Sequence, residues 1–428
     1  MVSALLLISC TLATAQTVAD EILAQPARSA GIAYSLPVGM PYANTPPPKG
    51  MKPFYISHYG TSAAFYLEDS LAYLMPIATL AKADSLDCLT GLGRDVLHRL
   101  RLVYNDACNR SGELTAKGAL QMRQLAQELV DRTPEVFTDS CVVDARSIVR
   151  NHNIMSMQEA MTQIARYNPH MELRLKSSHS NDAWMDVRDT ALEATRFNAA
   201  TTASLQAFRR SNIDDRRLLQ SLFASPNYVS QHVDADTFCD QLFQVVGTIQ
   251  STPLDGVVTP YDIFTPQELY QHWRVSNAKN YVSYGQYLPN GSQAFAQRAP
   301  LWNLLHVADS IKHLDHPVVH LRFSSRTMLL SLVSLMELNG YGLQTANLDS
   351  LDKAGWADYR IAPYGSSVQV VHYRSDKSVD DILIKVLLNG QEVQLPIDTD
   401  CAPYYNWNQV KRYYLRKLYA YEKSRIKY

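Results

Sequence analysis

The sequence predicts an α/β protein: a central mixed sheet flanked by helices, with an inserted helical cap lobe. Three observations carry this. Strand-like runs near residues 53–60 and 141–145 alternate with helical periodicity, a long block from about 150 to 300 is helical and strand-poor, and strand character returns after His316. The 428 residues include 46% hydrophobic and 19% charged side chains, enough apolar material for a large buried core. Lys plus Arg number 40 against 41 Asp plus Glu, so no net field draws nucleic acid or an acidic membrane surface. An anion site must be local.

Residues 1–15 read as a secretory signal. Their apolar stretch is too short to span a bilayer and closes on Ala13-Thr14-Ala15 before Gln16. Export to the periplasm or the exterior is expected. The alternative is a lipoprotein box, Leu7-Ile8-Ser9-Cys10, with Cys10 lipidated. No later segment has the ~18 consecutive apolar residues of a membrane helix. Residues 16–52 are expected as an extended arm, because Pro37 to Pro53 holds six prolines.

Residues 53–150 should form the first part of the core. Pro53 to Gly60 is aromatic and β-branched and ends in glycine, a strand. Leu92 to Val136 repeats apolar residues at three and four, giving two amphipathic helices broken near Asn109 to Gly112. Cys141 to Ala145 is a short buried strand. Residues 151–300 are expected as the cap and 301–428 as the second part of the core: a strand at His316 to Phe323, an apolar helix at Thr327 to Leu338, strands at Val368 to Tyr373, Asp381 to Leu388 and Val393 to Pro396, and a closing helix at Asn408 to Tyr421. Asn389-Gly390 between apolar runs is a hairpin signal. A ligand is expected in the cleft between core and cap. No repeat of fixed period is present.

Five cysteines follow the signal, Cys88, Cys108, Cys141, Cys239 and Cys401. The odd count cannot pair completely, one or two disulfides are the expectation, and no CxxC spacing suggests zinc. Neither a cofactor nor a metal is implied: phosphate-binding loops, dinucleotide fingerprints and nucleophile elbows are lacking. His152, His170 and His179 lack ligand spacing and read as surface or capping residues. Asp398-Thr399-Asp400 reads as a turn before Ala402-Pro403 rather than a cation site.

Six segments, in order, resemble the bacterial branch of the histidine acid phosphatase family, proteins similar to multiple inositol-polyphosphate phosphatases. They are Tyr55-Ile56-Ser57-His58-Tyr59-Gly60; Gly112-Glu113-Leu114-Thr115 with Gly118 and Gln121-Met122-Arg123; Ala145-Arg146-Ser147 with Met155-Ser156-Met157; Phe264 to Tyr270; Leu321-Arg322-Phe323; and Ala402 to Trp407. The resemblance spans about residues 50–420 and implies a histidine phosphatase-like core. In that family a histidine in Arg-His-Gly-x-Arg attacks the phosphoryl group, flanking arginines neutralise it, and a His-Asp pair binds phosphate and protonates the leaving oxygen.

Here those positions are overwritten. Thr61 stands at the first arginine, Ser62 at the nucleophile, Ala63 at the glycine and Phe65 at the second arginine, while Ser325 and Arg326 stand at the His and the acid. No catalytic residue is carried over. Arg146 matches a third phosphate-binding arginine, and Arg326 adds a fixed cation, so the two are expected to converge on a phosphate-like or inositol phosphate anion. Ser62 lacks a base in either motif, and His58 matches a structural segment. The leading expectation is a noncatalytic protein with an anion-binding cleft. The alternatives are a phosphomonoesterase built on other residues, and a structural or surface-interaction module. Nothing names a protein partner.

Overall fold

The computed structural model describes residues 17–425; the signal reading and Cys10 lie outside them. Eight strands form one mixed sheet: β1 Met51–Thr61, β2 Val142–Ser147, β3 Glu172–Ser177, β4 Val318–Ser324, β5 Ser367–Ser375, β6 Ser378–Leu388, β7 Gln391–Glu392 and β8 Tyr404–Asn406. Their order is β8-β6-β5-β1-β4-β2-β3, with β7 on β6. β1, β4, β2 and β3 run parallel, while β5, β6 and β8 are antiparallel. The parallel strands therefore finish along one edge, at Thr61, Ser324, Ser147 and Ser177, where ligands of such sheets gather.

Strand alternation assigns two faces. Tyr55 and Tyr59 point into a core shared with helices Arg298–Ile311, Arg326–Met336 and Trp407–Arg425. Ile56, Val143, Ala145, Val319, Leu321 and Phe323 point the other way, onto helices Ala116–Arg132 and Asn151–Tyr167. The Asn-Gly turn is as expected: Asn389 and Gly390 both take positive φ and join Leu388 to Gln391.

Several boundaries differ from the expectation. Glu172–Ser177 joins the core sheet from within the expected cap, as an edge strand with mostly exposed polar side chains. The third apolar cluster, a helical lobe, draws on Leu71–Asp84 and Gly91–Ala107 as well as Arg216–Leu222 and Ala235–Ile249, so it is not one insertion. The arm opens with a helix, Val18–Ala24, because Thr17 and Asp20 form a capping box and Val18 and Ile22 pack by Trp273. The residues 393–396 add no strand beyond Gln391–Glu392. All five cysteines are free: Cys141 and Cys239 are buried in different clusters, and Cys401 is exposed.

Candidate functional site

The loop leaving β1 is closed from three sides. Ser62, Ala63, Ala64 and Phe65 are 2%, 0%, 1% and 8% exposed. The Ser62 carbonyl accepts from the Gly365 amide at 2.9 Å, the Ala63 amide donates to Ser156 Oγ at 3.1 Å, and the Ala64 carbonyl accepts from the Thr115 amide at 3.0 Å. Thr115 also caps helix Ala116–Arg132. A Cβ at Gly118 would lie 2.1 Å from the Ala64 oxygen, so glycine is what lets this helix seat on the loop.

The side chains complete a plug. The Phe65 ring lies parallel to His152, centroids 3.7 Å apart and planes within 4°, and meets Tyr364 edge-on. Burial, then Arg326 and Arg150, push the His152 imidazole down to about 3, so it is neutral at pH 7. Its Nδ1 has no hydrogen-bond partner; the nearest carboxylate oxygen, on Glu68, is 3.9 Å away. The surface reading of His152 is corrected: it is 5% exposed. The helix carried a signal for this, since His152 and Ser156 are four apart and so face the loop together.

Arg326 begins its helix with the guanidinium 4.1 Å from the Tyr364 centroid and 5.3 Å from that of Phe65, while Nη1 donates to the Ile32 carbonyl at 2.6 Å. A cation over aromatic faces is held without a carboxylate. Ser325 caps the same helix, accepting from the Met328 amide at 3.0 Å, and donates to Asp186 at 2.8 Å. Burial raises the Asp186 carboxyl against the Ser325 hydrogen bond. Asp186 carries no sequence motif and was not anticipated.

Asp186 faces a cleft of about 630 Å³ over the strand ends. Its rim carries Arg150, Arg188, Arg196 and His179 against Glu68, Asp182, Asp186 and Glu193. Arg150 pairs with Glu68 at 3.2 Å, Arg188 with Glu193 at 2.8 Å and His179 with Asp182 at 3.2 Å. Such a balanced rim lacks the excess positive charge that a polyphosphate requires.

The two arginines expected to converge do not. Arg146 lies on the sheet face opposite Ala63 to Phe65, and Asp144, two residues away on β2, accepts from its Nε and Nη2 at 2.8 Å each. Burial opposes the Asp144 charge, but Arg146 holds the carboxyl below its usual range. His58 is also apart from Ser62: it packs by Phe323, lines an interior cavity with Gln369, and is pushed down to about 3 by burial and Arg322. No hydrogen bond joins Ser62 to an imidazole among the described residues. Asp398 to Asp400 form a loop in which Thr399 Oγ1 donates to the Tyr404 carbonyl at 2.7 Å, and no described cluster could hold a metal ion. His170 and His179 are exposed, as expected.

No family model matches the chain, and no curated protein matches its sequence. Solved structures do match its fold. The multiple inositol polyphosphate phosphatase of Bifidobacterium longum, in complex with inositol hexasulfate, superposes with a TM-score of 0.72 at 13% identity, covering 90% of this chain and 97% of that one. The phosphate complex of the same enzyme gives 0.69 at 14%, covering 89% and 97%. The phytase from D. castellii gives 0.66 at 12%, covering 92% and 85%. The chain has the histidine acid phosphatase fold over nearly its whole described length.

Proposed function

We propose that this is an exported, noncatalytic protein of histidine acid phosphatase fold, in which the phosphoryl-transfer centre is replaced by a packed plug. The observation that carries the reading is the Phe65–His152 stack beneath Arg326, at the positions matched to the family's clamp and acid. Phosphoryl transfer through this fold needs an imidazole nucleophile, fixed cations around the phosphoryl group and an acid for the leaving oxygen. At those positions stand Ser62 without a base, apolar Ala63 and Phe65, and an arginine that does not release its proton. Loss of a nucleophile alone removes a factor of about 10⁶ in kcat, so binding alone supports slight turnover at most.

A relocated phosphomonoesterase has one observation in its favour: the raised Asp186 carboxyl beside Ser325 could serve as an acid. Among the described lining residues, no imidazole hydrogen-bonds to a hydroxyl or thiol opposite it. The test is hydrolysis of p-nitrophenyl phosphate and inositol hexakisphosphate by purified protein, with acid trapping of a phosphoenzyme. We expect no turnover above background and no trapped intermediate. Activity that copurifies with the protein and is lost in Asp186→Asn would install the second reading.

A further inference from the structure

Arg322, on the central strand β4, is a buried cation that rests 4.6 Å from the Tyr59 ring centroid with no described carboxylate beside it. It is 3% exposed, and Nη1 donates to Ser57 Oγ at 2.9 Å. Among the described residues no carboxylate lies within ion-pair distance of it. A guanidinium has five donors, and leaving a buried cation unpaired is strongly unfavourable.

What surrounds it is a pocket of about 280 Å³. Arg146 is its register partner across β2, and both guanidinium carbons lie 5.8 Å from the Trp184 ring centroid. The one carboxylate, Asp144, is taken by Arg146. His320, also on the lining, is held neutral by burial and by Arg322, so it adds no charge at pH 7. The charges present are two cations and one anion, an excess of one positive charge. Val307, from helix Arg298–Ile311, and Trp184 supply apolar walls.

We infer that this pocket binds a small organic carboxylate, its head on Arg322 and the outer edge of Arg146, its body against Trp184 and Val307. A monoanion matches the charge excess. A dianionic phosphate would also meet the Asp144 carboxylate, and it has no surface to offer the indole. The volume lies just under the range of drug-sized sites, which sets the ligand as small. The site is on the opposite face of the sheet from the Phe65 plug, so it stands independently of the catalytic reading.

The experiment is calorimetry on the full chain with benzoate as probe, beside benzamide and inorganic phosphate at matched ionic strength. Saturable benzoate binding is expected, at least tenfold tighter than either comparator and weakening as salt rises. Arg322→Gln should weaken it tenfold or more. Should that variant not fold, Trp184→Ala and the charge-neutral pair Asp144→Asn with Arg146→Gln report on the same pocket, each with a loss of at least fivefold. The inference is overturned by any of three results: no saturable benzoate binding to the folded parent, benzamide or phosphate binding as tightly as benzoate, or benzoate binding unchanged in the folded variants.

Discussion

The two faces of the central sheet treat charge in opposite ways at the same strand ends. On the face covered by helices Ala116–Arg132 and Asn151–Tyr167, the loop Ser62 to Phe65 is filled with apolar and aromatic groups, and the cation beside it, Arg326, rests on rings and a carbonyl. On the other, Arg322 also rests on a ring, that of Tyr59, but with Arg146 it faces an open pocket whose single carboxylate, Asp144, is held by Arg146. Deleting charge leaves room that packing can fill and that then contributes to stability. Retaining a buried charge without a partner contributes nothing to stability unless a ligand completes it.

The largest break in this comparison should come from Phe65→Ala, which removes the stack and leaves a void: a loss of about 3 kcal/mol in denaturant unfolding is expected. A loss below 1 kcal/mol would mean the plug is incidental. Gly118→Ala sharpens the same point, because helix propensity alone favours alanine by about 1 kcal/mol. The added methyl meets the Ala64 oxygen, so a net destabilisation of about 2 kcal/mol is expected, and a gain would show that the contact yields easily.

Acid provides the third test. His152 and His372 are buried with folded values of about 3, against 6.5 for the free side chain. Between these values the unfolded chain binds protons that the native chain refuses. Stability is therefore full above pH 6.5 and falls on acidification by about 1.4 kcal/mol per pH unit for each such histidine. His152→Phe keeps the stack and should flatten that slope by one proton; an unchanged slope would show His152 protonated in the fold. Arg326→Gln, losing the cation over Tyr364 and the Ile32 hydrogen bond, should destabilise by about 1 kcal/mol and leave benzoate binding untouched. Smallest of all is Arg322→Met without ligand, where replacing a buried unpaired cation by an apolar side chain of similar length should change stability by less than about 1 kcal/mol. A large loss there would mean that Arg322 already has its partner.

Much of the fold was legible where the side-chain period is strong. β1, the paired helices after it and the Asn389-Gly390 hairpin are all written in apolar spacing and turn chemistry. β3 carries a period-two signal as well, Leu173 and Leu175 alternating with Glu172, Arg174 and Lys176, but it is a short run inside an otherwise helical block and is masked by it. At the site, the loss of the motif was readable residue by residue, but its replacement was not, since the Phe65–His152 stack joins side chains 87 positions apart. The Arg146–Asp144 pair could have been read: two residues apart on a strand places both on one face. The absence of a carboxylate beside Arg322 could not, because it depends on what the two neighbouring strands, β1 and β2, and a helix fail to supply.

One consequence of the sheet order concerns timescale. β1 has a strand on each side along most of its length, β5 on one and β4 on the other. Its amides exchange with solvent through global opening, whereas those of the edge strand β3 exchange through local fraying. Deuterium should therefore reach the amides before Ser62 among the last in the chain. A segment that opens only when the whole domain opens cannot gate access to a ligand, so the pocket on the opposite face exchanges its ligand through its own mouth, independently of β1.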